Sequence, residues 1–276
     1  WQPVAAEYDH FFIIQKEKWP IILKSQYNRN THFLPHGAPM TSEKPSTASR
    51  DYDVIFVGAP YQNRIVFFEE LCRLGLPFTI WGDGWERAAL SPALRRRVVD
   101  GRRWLSSAEI SVLYRSAKIV INLHSTLSGL PVEAEGDFAN PRLFEIPLSG
   151  ALQLVDRRKA VLEFYDDGID VVTFASALEA KEKAEYFLSR PDEARRIADR
   201  AFEKTIHLHL WSHRLKSFFN LLYPTSMETG GESLKGAITL AREKITIGSA
   251  LSREEMVSLL ADEILTRASR EEQGYV

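Results

Sequence analysis

The sequence predicts an α/β fold: a doubly wound parallel sheet with a helical C-terminal tail. Two observations carry that prediction. From Asp51 to Leu222, short apolar runs that suit strands buried on both faces alternate with stretches of amphipathic helical spacing. Two capping-box patterns, Ser106-x-x-Glu109 and Ser176-x-x-Glu179, open helices between such runs.

Taken in order, residues 1–50 differ in pattern from the rest of the chain. Phe11-Phe-Ile-Ile14 suits a strand and Lys18 to Ser25 a short helix, after which Met40 to Arg50 has the Ser/Thr/Pro/Lys composition of a linker. The start at Trp1 reads as that of a trimmed chain. Asp53-Val-Ile-Phe-Val57, closed by Gly58, is the first strand of the alternating region. Asn63 to Gly75 is a helix with Ile65, Phe68, Leu71 and Cys72 on one face. Pro77-Phe-Thr-Ile-Trp81 is a second strand, ended by Gly82-Asp-Gly84, and a third is expected near Arg103-Trp-Leu105. Ser106 opens a helix to Arg115, Lys118-Ile-Val-Ile-Asn-Leu123 is a strand, and a loop runs from His124 to Ala139. Beyond a short helix at Asn140 come strand Ala151–Val155, a helix near Arg158–Phe164 and strand Asp170–Phe174. Helices then fill Ala177–Leu188 and Pro191–Leu222. Residues 224–276 form a tail with amphipathic spacing over Leu234–Ile245 and Arg253–Ala268, suited to packing on the main domain or on a protein partner.

Composition narrows the function. Of 276 residues, 45% are hydrophobic and 26% charged, as in a soluble globular protein. The net charge of -2, with both signs mixed and no long basic run, gives no support for nucleic-acid binding. No apolar stretch approaches the ~20 residues of a transmembrane helix. Cys72 is the single cysteine, so an intramolecular disulfide is impossible, and a reducing, cytoplasmic setting is expected.

The most informative stretch is Asn140-Pro-Arg-Leu-Phe-Glu-Ile-Pro-Leu-Ser-Gly150. Asn140 suits an N-cap, Pro141 the first helical position, and Gly150 the left-handed residue that stops a helix. The free N–H groups at such a helix start attract a phosphate. Arg142 in the first turn is explained by an anionic ligand, and the Glu145 carboxylate can accept hydrogen bonds from a pair of ribose hydroxyls. An ordinary capped helix with a surface Arg and Glu is the other reading of the same residues.

With these residues in place, the chain resembles the donor-binding C-terminal half of the GT-B glycosyltransferases, and more narrowly their CgeB-like, group-1-type members. The matching pieces, in the family's order, are Phe33-Leu-Pro-His-Gly37, Tyr52 to Gly58, Asn63-Arg64, Ile80-Trp-Gly-Asp-Gly-Trp85, Leu113-Tyr-Arg-Ser-Ala-Lys-Ile-Val-Ile-Asn-Leu-His124, Asn140 to Gly150, Phe164 to Asp170, and Arg214. The resemblance implies a Rossmann-like domain at 51–223 that binds a UDP- or GDP-sugar, with 1–50 the remnant of an acceptor domain and 224–276 outside the likeness. The acceptor, whether glycan, protein or lipid, is not specified. Many retaining relatives carry a Glu-x7-Glu pair; here Asp137 stands in the first position and Glu145 in the second. The resemblance leaves catalytic residues unassigned. A non-catalytic nucleotide-binding or scaffold domain, with the tail as its partner surface, is the alternative.

Other candidates follow from position. Gly58 ends the first strand at the sheet edge where open α/β folds bind ligands, and Asn63 and Arg64 open the next helix, placing a cation for a diphosphate. Trp81 and Gly82 suit a wall of the base pocket. Asn122 and His124 end a strand at the same edge and are candidates to face phosphates or sugar. Asp83 is where a dinucleotide enzyme would hold a ribose, but G-x-G-x-x-G is missing after the first strand. No metal site is expected. Glu133, Glu135 and Asp137 read as a solvated loop, and His209 and His213 lack the intervening Glu of a zinc helix. Asp51-Tyr-Asp53 precedes a buried strand where a metal–diphosphate motif would come after one.

Overall fold

A computed structural model describes residues 3–39, 50–101, 103–126 and 130–222. The linker expected at Met40 to Arg50 lies outside these residues up to position 49, as do the expected tail helices. The chain divides into two compact units, Trp1–His209 and Leu210–Val276.

The first unit opens with a 3-10 turn at Pro3–Glu7, then β1 (Phe11–Ile13), α1 (Lys18–Gln26) and β2 (Thr31–Phe33). β1 and β2 pair in parallel, and Ala5, Ile13 and Leu23 form a small core with Phe11, Trp19 and Tyr27. β2 escapes a periodicity reading because it is three residues long and shows no alternation.

The main sheet comes next along the chain. Its elements are β3 (Tyr52–Val57), α2 (Gln62–Leu74), β4 (Thr79–Trp81), α3 (Pro92–Arg95), β5 (Val98–Asp100), α4 (Ser107–Arg115) and β6 (Ala117–Asn122). Then come α5 (Arg142–Glu145), β7 (Leu152–Asp156), α6 (Lys159–Leu162), β8 (Val172–Phe174), α7 (Ala177–Leu188) and α8 (Pro191–Leu208). Six strands lie in the order β5-β4-β3-β6-β7-β8, all parallel. This is the doubly wound sheet expected, and its winding reverses between β3 and β6. Side chains alternate between two cores. Val54, Phe56, Ile119 and Ile121 face the layer holding Phe67, Phe68 and Ala180. Ile55, Val57 and Val120 face the layer holding Tyr114 and Ile146. At about 25 cal/mol per Å² of apolar surface, two such covered faces supply the main drive to fold.

Two boundaries differ from expectation. The third strand is β5, not Arg103-Trp-Leu105: Val98 pairs with Ile80, whereas the Trp104 side chain is 80% exposed and marks no buried strand. The long helix from Pro191 to Leu222 is two helices, α8 and α9 (Trp211–Leu222). At the end of α8, His209 turns its carbonyl to the Ala38 N–H at 2.8 Å. In the second unit, His213 Nδ1 accepts the Leu210 N–H at 3.1 Å and starts α9 afresh. Among the described residues no helix is long and apolar enough to cross a membrane.

Candidate functional site

In a doubly wound sheet the ligand crevice opens outside the carboxyl ends of the strands at the switch point, here the ends of β3 and β6. The backbone after β3 is packed tightly. Gly82, with φ of 134°, crosses over Gly58 so closely that a Cβ on it would stand 2.4 Å from the Gly58 carbonyl oxygen. Trp85 Nε1 donates to that same oxygen at 2.6 Å. Trp81 is 5% exposed, with its ring edge-on to Tyr52, and Trp85 packs among Phe56 and Phe68. Both rings are buried at this edge, beside the expected pocket wall.

Arg64 is the cation of this edge. Its Nε donates to the Leu123 carbonyl at 3.0 Å and an Nη to the Ala59 carbonyl at 3.1 Å, while its guanidinium lies over the Phe56 and Tyr61 rings. Its partners are thus backbone oxygens and aromatic faces. Burial, and then the nearby Arg142 cation, push the Arg64 guanidinium down to about 10. Two cations therefore share the switch point. Glu145, half-buried on the same turn as Arg142, has its carboxyl raised by burial against the pull of Arg142. Tyr114, from the end of α4, completes the group. Its phenol is pushed up to about 12 by burial, and it senses Arg142, Glu145 and Arg64. Tyr114 lies inside a family-like motif, but buried aromatics on amphipathic helices are usually core, so position alone does not mark it.

Asn140 caps α5 as expected, its Oδ1 accepting the Leu143 N–H at 3.1 Å. The helix itself is one α-turn that tightens into a 3-10 turn at Ile146–Ser149, ended by Gly150 with φ of 68°. Pro147 causes the change: it has no N–H for the Leu143 carbonyl, and Gln153 Nε2 donates there instead at 3.2 Å. So short a helix has a small dipole, which limits what its start alone contributes to holding a phosphate. Positive charge at this edge comes from the two arginines.

Asn63, Asn122 and His124 bond to neighbouring elements. Asn63 Nδ2 donates to the His124 carbonyl at 2.8 Å and ties α2 to the end of β6. Asn122 sits in a relay in which Asn140 Nδ2 donates to Asn122 Oδ1 at 2.8 Å and Asn122 Nδ2 to Gln153 Oε1 at 2.9 Å. His124 is fully buried. The Asn140 N–H donates to its Nε2 at 3.0 Å, so the ring proton sits on Nδ1 and meets Asp156 Oδ1 at 2.6 Å. Burial lowers the His124 pKa and keeps the ring neutral. Burial works against the Asp156 carboxylate, yet His124 and Arg158 beside it hold it at about 2. Arg158 Nε donates to Asp156 Oδ2 at 3.0 Å, and both terminal nitrogens are buried without a hydrogen-bond partner. A Cβ at Gly136 would strike that guanidinium, so only glycine fits there. Expected to face phosphate or sugar, Asn122 and His124 here bond inward and fix where Asn140 begins its turn.

Asp137 faces the opening of α1, its Oδ2 accepting the Glu17 N–H at 3.4 Å. The structure does not bring it to Arg142 and Glu145 through any hydrogen bond or ion pair. Asp83 pairs with Arg87 at 3.3 Å, Asp53 with Lys118 at 2.6 Å, and Glu133 lies 3.8 Å from Arg158. Among the described residues no cluster of His, Cys, Asp and Glu is arranged to hold a metal ion.

A family model described as glycosyl transferase-like matches residues 64–220, more than half of the chain. Spore protein CgeB of Bacillus subtilis (strain 168) is 23% identical over 185 residues, covering 64% of this chain and 57% of CgeB. Anabaena HepE, solved in complex with UDP-glucose, superposes with a TM-score of 0.60 at 13% identity, covering 79% of this chain and 65% of HepE. An S. aureus TarM mutant in complex with fondaparinux, alpha-GlcNAc-glycerol and UDP gives a TM-score of 0.59 at 12% identity, over 80% of this chain and 45% of TarM. The likeness to these two structures is one of fold. The chain spans less than two thirds of each relative's length.

Proposed function

The chain belongs to the glycosyl transferase-like family, and on that premise we propose that its six-stranded sheet is the nucleotide-sugar-binding half of a GT-B glycosyltransferase. The donor is a UDP- or GDP-sugar; the UDP ligands of HepE and TarM favour uridine. The single observation carrying the reading is the Arg64–Arg142 pair. Arg64 feels the Arg142 charge at the switch point and is bonded only to carbonyls and rings, an arrangement that a diphosphate between the two would relieve. Glu145 on the same turn as Arg142 is placed for ribose hydroxyls. Residues 1–50 are read as the edge of an acceptor-binding domain. The free thiol of Cys72 suits the cytoplasm.

In the reaction, an acceptor hydroxyl oxygen forms a bond to the anomeric carbon and gives up its proton to solvent as the bond from that carbon to the diphosphate oxygen breaks. The electron pair leaves on the diphosphate, whose growing charge Arg64 and Arg142 stabilise more in the transition state than in the ground state. Calorimetric titration of UDP into the wild type and into Arg64→Met tests the assignment. A loss of about 1.5–3 kcal/mol in the variant, the value of a hydrogen bond to a charged group, is expected. Equal affinity in the two proteins removes Arg64 from the site.

A further inference from the structure

We propose that Tyr114 is a positioning residue of the diphosphate site, its hydroxyl accepting a hydrogen bond from Arg142 Nε and so fixing where the guanidinium points. The inference rests on the donor-site reading above and deepens it. Two buried polar atoms motivate it: Tyr114 Oη and Arg142 Nε, each sealed from solvent without a partner of normal hydrogen-bond geometry. Such orphans are rare in folded proteins, because a buried donor or acceptor without a partner keeps its full desolvation cost. Tyr114 shares a core layer with Ile146, the residue that follows the turn of Arg142 and Glu145. The phenol feels the Arg142 charge, and neither atom has a hydrogen-bond partner. One donor lacks an acceptor and one acceptor lacks a donor.

The surrounding packing explains why Tyr114 can do this. Its ring is 2% exposed and lies in the core layer with Ile146 and Ala151, on the flank of the turn that carries Arg142 and Glu145. The ring is thus fixed by apolar contacts while its hydroxyl is presented to the charged cluster. Arg142 is half-buried, on the one-turn helix α5. A long side chain on so short an element needs an outside contact to hold one rotamer, because Arg loses much rotamer freedom when it is fixed. A preformed acceptor at Nε leaves the two terminal nitrogens as a fork, the geometry that takes a phosphate oxygen pair. An anion drawing the guanidinium by a fraction of an ångström would close the bond to Tyr114, so binding and closure reinforce each other.

The test is a double-mutant cycle on the full chain with UDP as the probe, comparing wild type, Tyr114→Phe, Arg142→Met and the double variant by calorimetry. Thermal melts are run on the same preparations. Tyr114→Phe keeps the ring and deletes an unsatisfied hydroxyl, so its melting temperature is expected to equal or exceed that of the wild type. Its UDP affinity is expected to fall about tenfold, the scale of one hydrogen bond to a charged group. In the Arg142→Met background the same change is expected to cost nothing further. Unchanged affinity in Tyr114→Phe, or a full tenfold loss persisting without Arg142, overturns the proposal while leaving the donor site intact. A wild type that binds no UDP overturns the donor reading and this inference with it. A drop in melting temperature with affinity preserved assigns Tyr114 to packing alone.

Discussion

At the scale of single residues, the site works by placing charge where water is scarce. Arg64 keeps its charge at neutral pH despite burial, because its value of about 10 is still far above pH 7. Burial raises the Glu145 pKa, which in the proposed site makes its carboxylate the more avid acceptor for a ribose diol. Glu145→Gln is expected to weaken UDP binding by ~1.5–3 kcal/mol with the melting temperature preserved, which titration and melt on one preparation will show. A lowered melting temperature with intact affinity would make Glu145 structural. Asp156 is expected to behave in the opposite way. It bonds the His124 backbone and ring and the fully buried Arg158. Asp156→Asn leaves that guanidinium without its counter-charge and is expected to cost ~3–5 kcal/mol in urea unfolding. A loss under about 1 kcal/mol would show that Arg158 finds another partner. The sequence marks Arg64, Arg142 and Glu145 as candidates by their place beside a strand end or a helix start, and their roles remain part of the proposal. The inward bonding of Asn122 and His124 is not, because it depends on Gln153 and Asp156, which come from the neighbouring strand β7.

At the scale of elements, most strands and helices follow from periodicity and caps. The capping box at Ser106 forms in full. At Ser176 it forms by half, with the Ser176 side chain accepting the Glu179 N–H and the Glu179 carboxylate turning to Ala175. What periodicity does not show is where a pattern is interrupted by tertiary contacts, as when the Ala38 N–H takes the His209 carbonyl. Nor does it show that the Asn140 helix tightens after one turn. His124 ties β6 to that turn and makes it acid-sensitive. A protonated ring could no longer accept the Asn140 N–H. Because the folded pKa is lowered from 6.5, the unfolded chain takes up the proton first. The neutral ring's contribution is therefore complete above 6.5 and drains as pH falls through that value toward the folded pKa. Urea unfolding between pH 7.5 and 5 is expected to lose up to about 1.4 kcal/mol per pH unit more in the wild type than in His124→Gln. Parallel pH profiles for the two would contradict a buried neutral His124.

At the scale of the whole molecule, the doubly wound sheet is readable from alternation alone, and its switch point brings Gly58, Arg64 and the Asn140 turn to one edge. The β1–β2 pair and the second unit contribute none of these side chains. Because two arginines supply the positive charge, nucleotide binding is expected to survive EDTA unchanged. Loss on chelation with recovery on adding Mn²⁺ or Mg²⁺ would assign that role to a metal. The central claim is that this edge recognises a diphosphate. Its most direct test is calorimetric titration of the wild-type chain with UDP and with UMP, side by side in EDTA. UDP is expected to bind at least tenfold more tightly, since the second phosphate gains a charge-assisted bond worth ~1.5–3 kcal/mol. Equal affinity for the two nucleotides, or binding of neither, would contradict it.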